Sequence, residues 1–151
     1  MTEFRFGFHK VLRMTANGLC RLVLVLVSLV IALTGCDSGR PKTIPISGLV
    51  LIDGQPPGET GKLFFTSTKA ADGYAMRPAS GSFNAEGNYR VMSWAPDDGL
   101  VPGHYTVSIL PNDPSKTRVP AKYRQSNSSG LELDVPVDKR KIEFNAEVRT
   151  K

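Results

Sequence analysis

The residues of this chain that could perform acid–base or metal chemistry are few. Histidine occurs only at His9 and His104 among the 151 residues. An imidazole titrates near neutral pH and is a common metal ligand, so His104 could act as a general base or bind a metal. The alternating pattern around it predicts instead an outward-facing polar residue at the start of a strand, and no second histidine follows to build a zinc site. We keep His104 as a candidate ligand contact and expect no catalytic residue here.

Acidic residues are the next candidates, because hard cations such as calcium bind several carboxylate oxygens. Asp97 and Asp98 are adjacent, and Asp113 follows further along the chain. Their spacing matches no calcium-binding loop, and a solvated turn is the better interpretation. The sequence therefore predicts neither a metal site nor a cofactor. It also lacks paired carboxylates or a Ser, His and Asp set that would indicate a hydrolase, so we expect the protein not to be an enzyme.

Two aromatic residues could contact a ligand. Trp94 falls at the end of a predicted strand beside the loop 95–103, and Tyr74 follows the loop 68–73. An exposed pair of rings could form a platform for a sugar. Burial of the rings at the edge of the fold is the alternative, since large aromatic side chains are on average well buried.

The segment before Cys36 has the features of a secretory signal peptide. Basic residues precede an apolar run from Leu22 to Ala32, and these are Arg5, Lys10, Arg13 and Arg21. A membrane-spanning helix needs about 20 apolar residues, so a cleaved signal is favoured over a permanent N-terminal helix. Met14 would give a shorter basic region, and we hypothesise that it is the true start.

The run Leu33-Thr34-Gly35-Cys36 resembles the bacterial lipoprotein box. The resemblance implies cleavage before Cys36, a diacylglyceryl group on its sulfur, and an acyl chain on the new N-terminus. Several chains hold a protein firmly on a membrane, whereas one holds it marginally. We therefore expect a signal peptide at 1–35, a lipidated cysteine and polar tether at 36–43, and an extracytoplasmic domain at 44–151. The lipid on Cys36 would hold it to a bacterial membrane, on the periplasmic face or at the cell surface.

Removal of residues 1–35 changes the charge balance. Four of the 19 Lys and Arg residues and one of the 14 Asp and Glu residues lie there, which leaves a formal charge of about +2. This balance does not predict a nucleic-acid partner. Basic clusters remain at 139–141 and 116–124. Solvated loops are the simpler interpretation, and contact with anionic lipid headgroups is the alternative.

Period-two alternation of apolar residues dominates the remaining chain and predicts seven short strands with no amphipathic helix. The predicted strands cover 44–52, a segment centred on 63–65, 74–83, 89–94, 104–110, 131–137 and 142–148. Leu49 and Leu51 on the second face of the first strand indicate burial on both sides. The pattern predicts an all-β fold, a seven-stranded antiparallel β-sandwich.

Three segments in order resemble the transthyretin-like, carboxypeptidase regulatory-like β-sandwich domains. They are the opening from Ile46 to Pro56 (ISGLVLIDGQP), the hairpin from Asn84 to Tyr89 (NAEGNY) and the run from Val101 to Val107 (VPGHYTV). The later segments 119–123 (VPAKY) and 129–131 (SGL) are similar to small bacterial lipoproteins built on this domain. Gly54, Gly87 and Gly103 would supply the positive φ angles or close approaches of the turns. Tyr89 and Tyr105 would cap the core with their hydroxyls on solvent or backbone.

Some relatives of this fold hydrolyse 5-hydroxyisourate with histidines, an arginine and a C-terminal Tyr-Arg-Gly-Ser. The segment 123–126 reads Tyr-Arg-Gln-Ser. It departs from that pattern at Gln125 and is not at the C-terminus, so the resemblance does not imply this activity.

The sequence thus predicts a lipid-anchored cell-envelope protein whose β-sandwich is a non-enzymatic structural or interaction module. Its partners would be the membrane and another envelope protein or glycan. The alternative is a carbohydrate- or peptide-binding module that uses the loops 68–73, 95–103 and 111–130.

Overall fold

A computed structural model describes residues 39–151 of the chain. The expectations for the signal peptide, the lipoprotein box and Cys36 lie outside these residues. Pro41–Lys151 forms one compact unit. Within the described part, no helix is long and apolar enough to span a membrane.

Short alternating segments form eight strands, and one 3-10 helix, Ala121–Arg124, lies in the longest connection. In β2, for example, Leu63 and Phe65 are buried whereas Lys62 and Thr66 are exposed, as the pleat of a half-buried strand requires. The strands are β1 Ile46–Ile52, β2 Gly61–Ala70, β3 Ala79–Phe83, β4 Asn88–Arg90, β5 Gly103–Pro111, β6 Leu131–Val135, β7 Ile142–Glu143 and β8 Ala146–Val148.

The strands form one continuous, nearly barrel-shaped sheet in the order β6-β5-β2-β3-β4-β1-β7, and β8 also pairs with β1. The all-β prediction is confirmed. The prediction of seven antiparallel strands is not confirmed, because the structure has eight strands and β7 and β8 both pair with β1 in parallel. Two separate sheets of a sandwich are not confirmed either.

The third and fourth strands are shorter than the sequence pattern predicts. The third strand begins at Ala79, so Tyr74 to Pro78 are loop. Pro78 lacks the N–H that a ladder needs, which explains the late start. The fourth strand ends at Arg90 and leaves Met92 in an isolated bridge to Ser80. The hairpin predicted at Asn84–Asn88 is confirmed by the pairing of Phe83 with Tyr89.

The last predicted strand is interrupted at Phe144 and Asn145, and β7 and β8 pair with β1 in the same register before and after the interruption. The backbone carbonyl of Phe144 accepts a hydrogen bond from the Tyr89 hydroxyl. Asn145 Oδ1 accepts the Leu49 N–H at 2.9 Å and so replaces a backbone acceptor of the ladder. A Cβ at Gly48 would lie 1.9 Å from the Phe144 oxygen. Glycine at 48 therefore allows the Phe144 backbone to approach β1 closely.

Two further tyrosines, Tyr105 and Tyr123, form hydrogen bonds to backbone groups outside the strands. The Tyr105 hydroxyl donates to the Val101 carbonyl at 2.8 Å, the contact that closes a tyrosine corner in Greek-key folds. Tyr123 of the 3-10 helix is buried, and its hydroxyl accepts the N–H of Arg149 at 3.1 Å. This bond links the connection before β6 to the residue after β8. The Tyr89 and Tyr105 hydroxyls thus both contact backbone, which is one of the two expected alternatives, solvent or backbone.

The core fills the interior of this curved sheet. Its largest fully buried side chains come from three strands, β1, β2 and β5, and from connecting segments. They include Tyr105, Phe65, Ile44, Ile52, Leu63, Leu100, Ile109, Val50, Val91, Val107 and Val119.

Candidate functional site

The loops of the domain lie at two opposite ends, which the strand register defines. Ala70 pairs with Gly103 at one end of the β2–β5 ladder and Gly61 pairs with Pro111 at the other. Nine residues of β5 separate the ends by about 30 Å. The chain preceding β1 joins the fold at the first end, here named the tether end, where Ile44 exchanges both backbone hydrogen bonds with Leu100.

The three loops proposed as ligand contacts are divided between these ends. The Ala71 N–H donates to the Pro102 carbonyl at 3.1 Å, so the loops 68–73 and 95–103 adjoin at the tether end. The connection 111–130 begins at the far end, where Asn112 N–H donates to the Thr60 carbonyl. A ligand held by the first two loops would therefore not contact the start of the third.

Asp98 organises the loop that follows Trp94. Its carboxylate accepts the backbone N–H groups of Ser93, Trp94 and Ala95 at 2.6, 3.0 and 3.0 Å. The Ser93 hydroxyl donates to the Gly99 carbonyl at 2.6 Å and closes the same loop. The expected solvated turn fits Asp97 and Asp113, which are exposed, but not Asp98, which is half-buried. The loop is therefore a preorganised element whose acidic group is already bound to backbone.

Trp94 is half-buried beneath an arginine. The Arg77 guanidinium lies 4.2 Å from the centre of the indole ring, in cation–π geometry. The Nη2 group of Arg77 donates to the Ser93 carbonyl at 2.9 Å. Its Nε is buried and has no hydrogen-bond partner among residues 39–151. One face of the Trp94 ring is therefore covered and cannot stack on a sugar in this arrangement.

Tyr74 is also half-buried, in the turn where its N–H donates to the Ala71 carbonyl. Within the described part of the chain, the one pair of interacting aromatic rings is Phe65 and Tyr89, with centroids 6.3 Å apart. Tyr74 and Trp94 share no ring contact, so the two do not form a joint platform.

His104 lies on β5 opposite acidic residues of β6. Its Nδ1 is 2.7 Å from Asp134 Oδ1, and its Nε2 is 3.8 Å from Glu132 Oε2. The cross-strand register causes this placement, because His104 pairs directly with Asp134 and Thr106 with Glu132. Both imidazole nitrogens thus face carboxylates. No direct contact among the described residues joins His104 to Trp94 or Tyr74, so the three candidate residues do not build one site.

The sequence did not predict an open groove of about 910 Å³ on the described part of the chain. It runs along the outer face of β1 and β4 and is bordered by β7 and by the loop after Trp94. Its lining includes Ser47, Leu49, Asn88, Arg90, Met92, Pro96, Asp97, Lys141 and Glu143. We name these residues the β1–β4 groove. The sequence feature that could have indicated this groove is the apolar second face of β1, where Leu49 is half-buried.

Charges of both signs surround the groove. Arg90 Nη1 lies 3.1 Å from Asp97 Oδ2, with 71% and 54% of their side chains exposed. An ion pair this exposed contributes about 0–1 kcal/mol to stability, so either partner is free to exchange for a charge on a bound molecule. Lys141 and Glu143 place a second positive and negative charge on the opposite border.

The chain was compared with protein families, with characterised proteins and with solved structures, and no match was found in any of the three.

Proposed function

We propose that this chain is a lipid-anchored protein of the bacterial cell envelope whose β domain is a non-enzymatic interaction module. The observation that carries the proposal is the open β1–β4 groove, which extends to the tether end and presents charged and apolar side chains to solvent. Such a surface can bind a segment of a partner without requiring any bond to be made or broken.

The anchor rests on the sequence before the described residues. The run Leu33 to Cys36 follows an apolar segment and a basic N-terminus, in the order that a lipoprotein signal requires. From Asp37 to Thr43 the polar tether reaches at most about 25 Å. It would therefore hold the domain close to the membrane, with Ile44 as the first fixed residue.

A transthyretin-like architecture is part of the proposal. It is supported by the turn at Gly54, where φ is +78°, by the hairpin at Gly87, where φ is +87°, and by the backbone contacts of Tyr89 and Tyr105. The parallel pairing of the last two strands with β1 is a departure that the resemblance did not imply.

The groove favours an extended segment of another envelope protein as the partner. It follows the length of two neighbouring strands, and its borders carry both signs of charge, so a peptide with alternating polar and apolar residues could match it. The carbohydrate alternative has less support because Arg77 already covers one face of Trp94, and stacking on an open aromatic face is the contact it would need.

The proposal is tested by crosslinking in cells, followed by mass spectrometry of the captured molecules. Met92 lies in the groove and is 51% exposed, whereas Leu110 lies outside it on β5 and is 43% exposed. Met92→Arg should abolish capture of the main partner, and Leu110→Arg, a matched control, should leave it unchanged.

Equal capture by both variants would contradict a role for the groove. Only scattered neighbours in the wild type would contradict an interaction module and leave the domain as a spacer. A captured glycan in place of a protein would favour the carbohydrate alternative.

A further inference from the structure

The connection between β6 and β7 carries three consecutive basic residues, Lys139, Arg140 and Lys141, here named the basic turn. All three are exposed. Among residues 39–151, none of them forms an ion pair within 4.0 Å, unlike Arg90, Lys116 and Arg149. The acidic residue Asp138 precedes them, and the segment still has an excess of positive charge. No ion pair among the described residues neutralises this excess.

The basic turn lies directly beside the point where the tether joins the domain. The N–H of Ile142 donates to the Pro45 carbonyl at 3.0 Å, and Ile142 pairs with Ile46. On the other side, Ile44 is bound to Leu100. The tether therefore emerges between the basic turn and the loop that contains Trp94, and Lys42 adds another exposed cation to it.

We propose that the basic turn docks the tether end onto anionic lipid headgroups of the membrane that carries the anchor. This inference rests on the proposed lipid anchor, because the anchor directs this end of the domain to the membrane. Cations near an anionic surface each strengthen the attraction, and the effect falls off within a Debye length. The short tether lets the turn reach that range. Docking would orient the β1–β4 groove, since Lys141 belongs to both surfaces.

The test uses the mature protein purified from cells and reconstituted into vesicles with or without phosphatidylglycerol, an anionic lipid. Trp94 is the one tryptophan of the chain, and it lies at the tether end. Its fluorescence therefore reports the approach of this end to lipids that carry a nitroxide quencher on the headgroup. We expect several-fold stronger quenching in anionic than in neutral vesicles, and loss of the difference at high salt.

Matched variants separate the basic turn from general charge. The substitutions Lys139→Gln, Arg140→Gln and Lys141→Gln together should reduce quenching in anionic vesicles to the neutral value. Lys62→Gln, Lys116→Gln and Lys151→Gln remove the same charge from exposed positions away from the tether end and should leave quenching unchanged. Equal quenching in the two kinds of vesicle, or equal losses in the two triple variants, would overturn the inference.

The mass of the N-terminal peptide tests the anchor separately. If Cys36 carries no lipid, the anchor proposal fails, and the same purified proteins are sedimented with the vesicles instead. The basic turn would still be supported as a headgroup contact if the wild type and the control triple variant sediment with anionic vesicles and the basic-turn variant does not. Sedimentation that is absent, or that does not distinguish the two triple variants, would overturn it.

Discussion

The hydroxyl of Tyr89 on β4 donates a hydrogen bond to the backbone carbonyl of Phe144, the residue that lies between β7 and β8. This contact joins two segments that are 55 residues apart in the chain. It ties β4 to the segment where the parallel pairing with β1 is interrupted. The groove lies on the outer face of the same strands.

The close approach of the Phe144 carbonyl to Gly48 leads to the first prediction. Gly48→Ala should destabilise the protein by several kcal/mol, since its Cβ would overlap the Phe144 carbonyl and backbone must move. Gly58→Ala is the control, because Gly58 has φ +70° and open space around it, so its cost should be only about 1–2 kcal/mol. Urea unfolding measures both values. Equal losses of unfolding free energy in the two variants would contradict a close approach of Phe144 to Gly48.

The Asp98 carboxylate leads to the second prediction. The Asp98 carboxylate accepts three backbone N–H groups. In Asp98→Asn one of its two oxygens is replaced by an NH₂ group, which donates and cannot accept. The substitution should therefore lower the unfolding free energy by about 1–3 kcal/mol. The neighbouring Asp97→Asn removes only an exposed ion pair and should cost less than about 1 kcal/mol. Trp94 fluorescence should shift in the first variant alone. Indistinguishable spectra and stabilities would show that Asp98 does not organise the loop.

A third prediction concerns alkaline pH. Burial raises the pKa of Tyr105 to about 12 from an ordinary value of 10.0, and burial also raises the pKa of Tyr89 above its usual range. Above pH 10 the unfolded chain therefore loses phenolic protons that the folded chain keeps, so the stability should fall as pH rises from 10 towards 12. Denaturant midpoints across this range measure the slope. Tyr105→Phe should be less stable at neutral pH, because it lacks the bond to Val101, and should show a shallower alkaline decline.

A fourth prediction concerns the C-terminus in acid. Asp53 accepts hydrogen bonds from the Thr150 hydroxyl at 2.6 Å and the Thr150 N–H at 3.0 Å, and these bonds lower the pKa of the Asp53 carboxyl. The stabilising contribution is present above the ordinary carboxyl pKa and is lost as pH falls through the lowered value. Amide exchange at Thr150 should therefore accelerate relative to β5 amides in acid. Thr150→Val should remove much of that pH dependence, and an unchanged profile would contradict the contact.

Local features of this fold were predictable from sequence because they depend on neighbouring residues. The hairpin at Asn84–Asn88 and the backbone bond of the Tyr105 hydroxyl both follow from turn chemistry within a few positions. The parallel pairing of β7 and β8 with β1 was not predictable, since alternation identifies a strand but not its distant partner. The last segment was predicted as one strand, but it is interrupted at Asn145, whose side chain replaces a backbone acceptor of the ladder.

The candidate site was predicted less well than the fold. Trp94 was identified as a residue of interest, yet the Arg77 guanidinium that covers it comes from a separate loop, and no local pattern indicates such a contact. The β1–β4 groove arises where three strands that are distant in sequence meet. Leu49 was its one visible signal, as an apolar residue on the outer face of β1.

The most direct test of the account is the mass of the N-terminal peptide of the mature protein isolated from bacterial membranes. We predict a peptide that begins at Cys36 and carries a diacylglyceryl group on its sulfur, with a further acyl chain on its amine. A peptide that continues upstream of residue 36, or a Cys36 with a free thiol, would contradict the lipid anchor on which the proposed function depends.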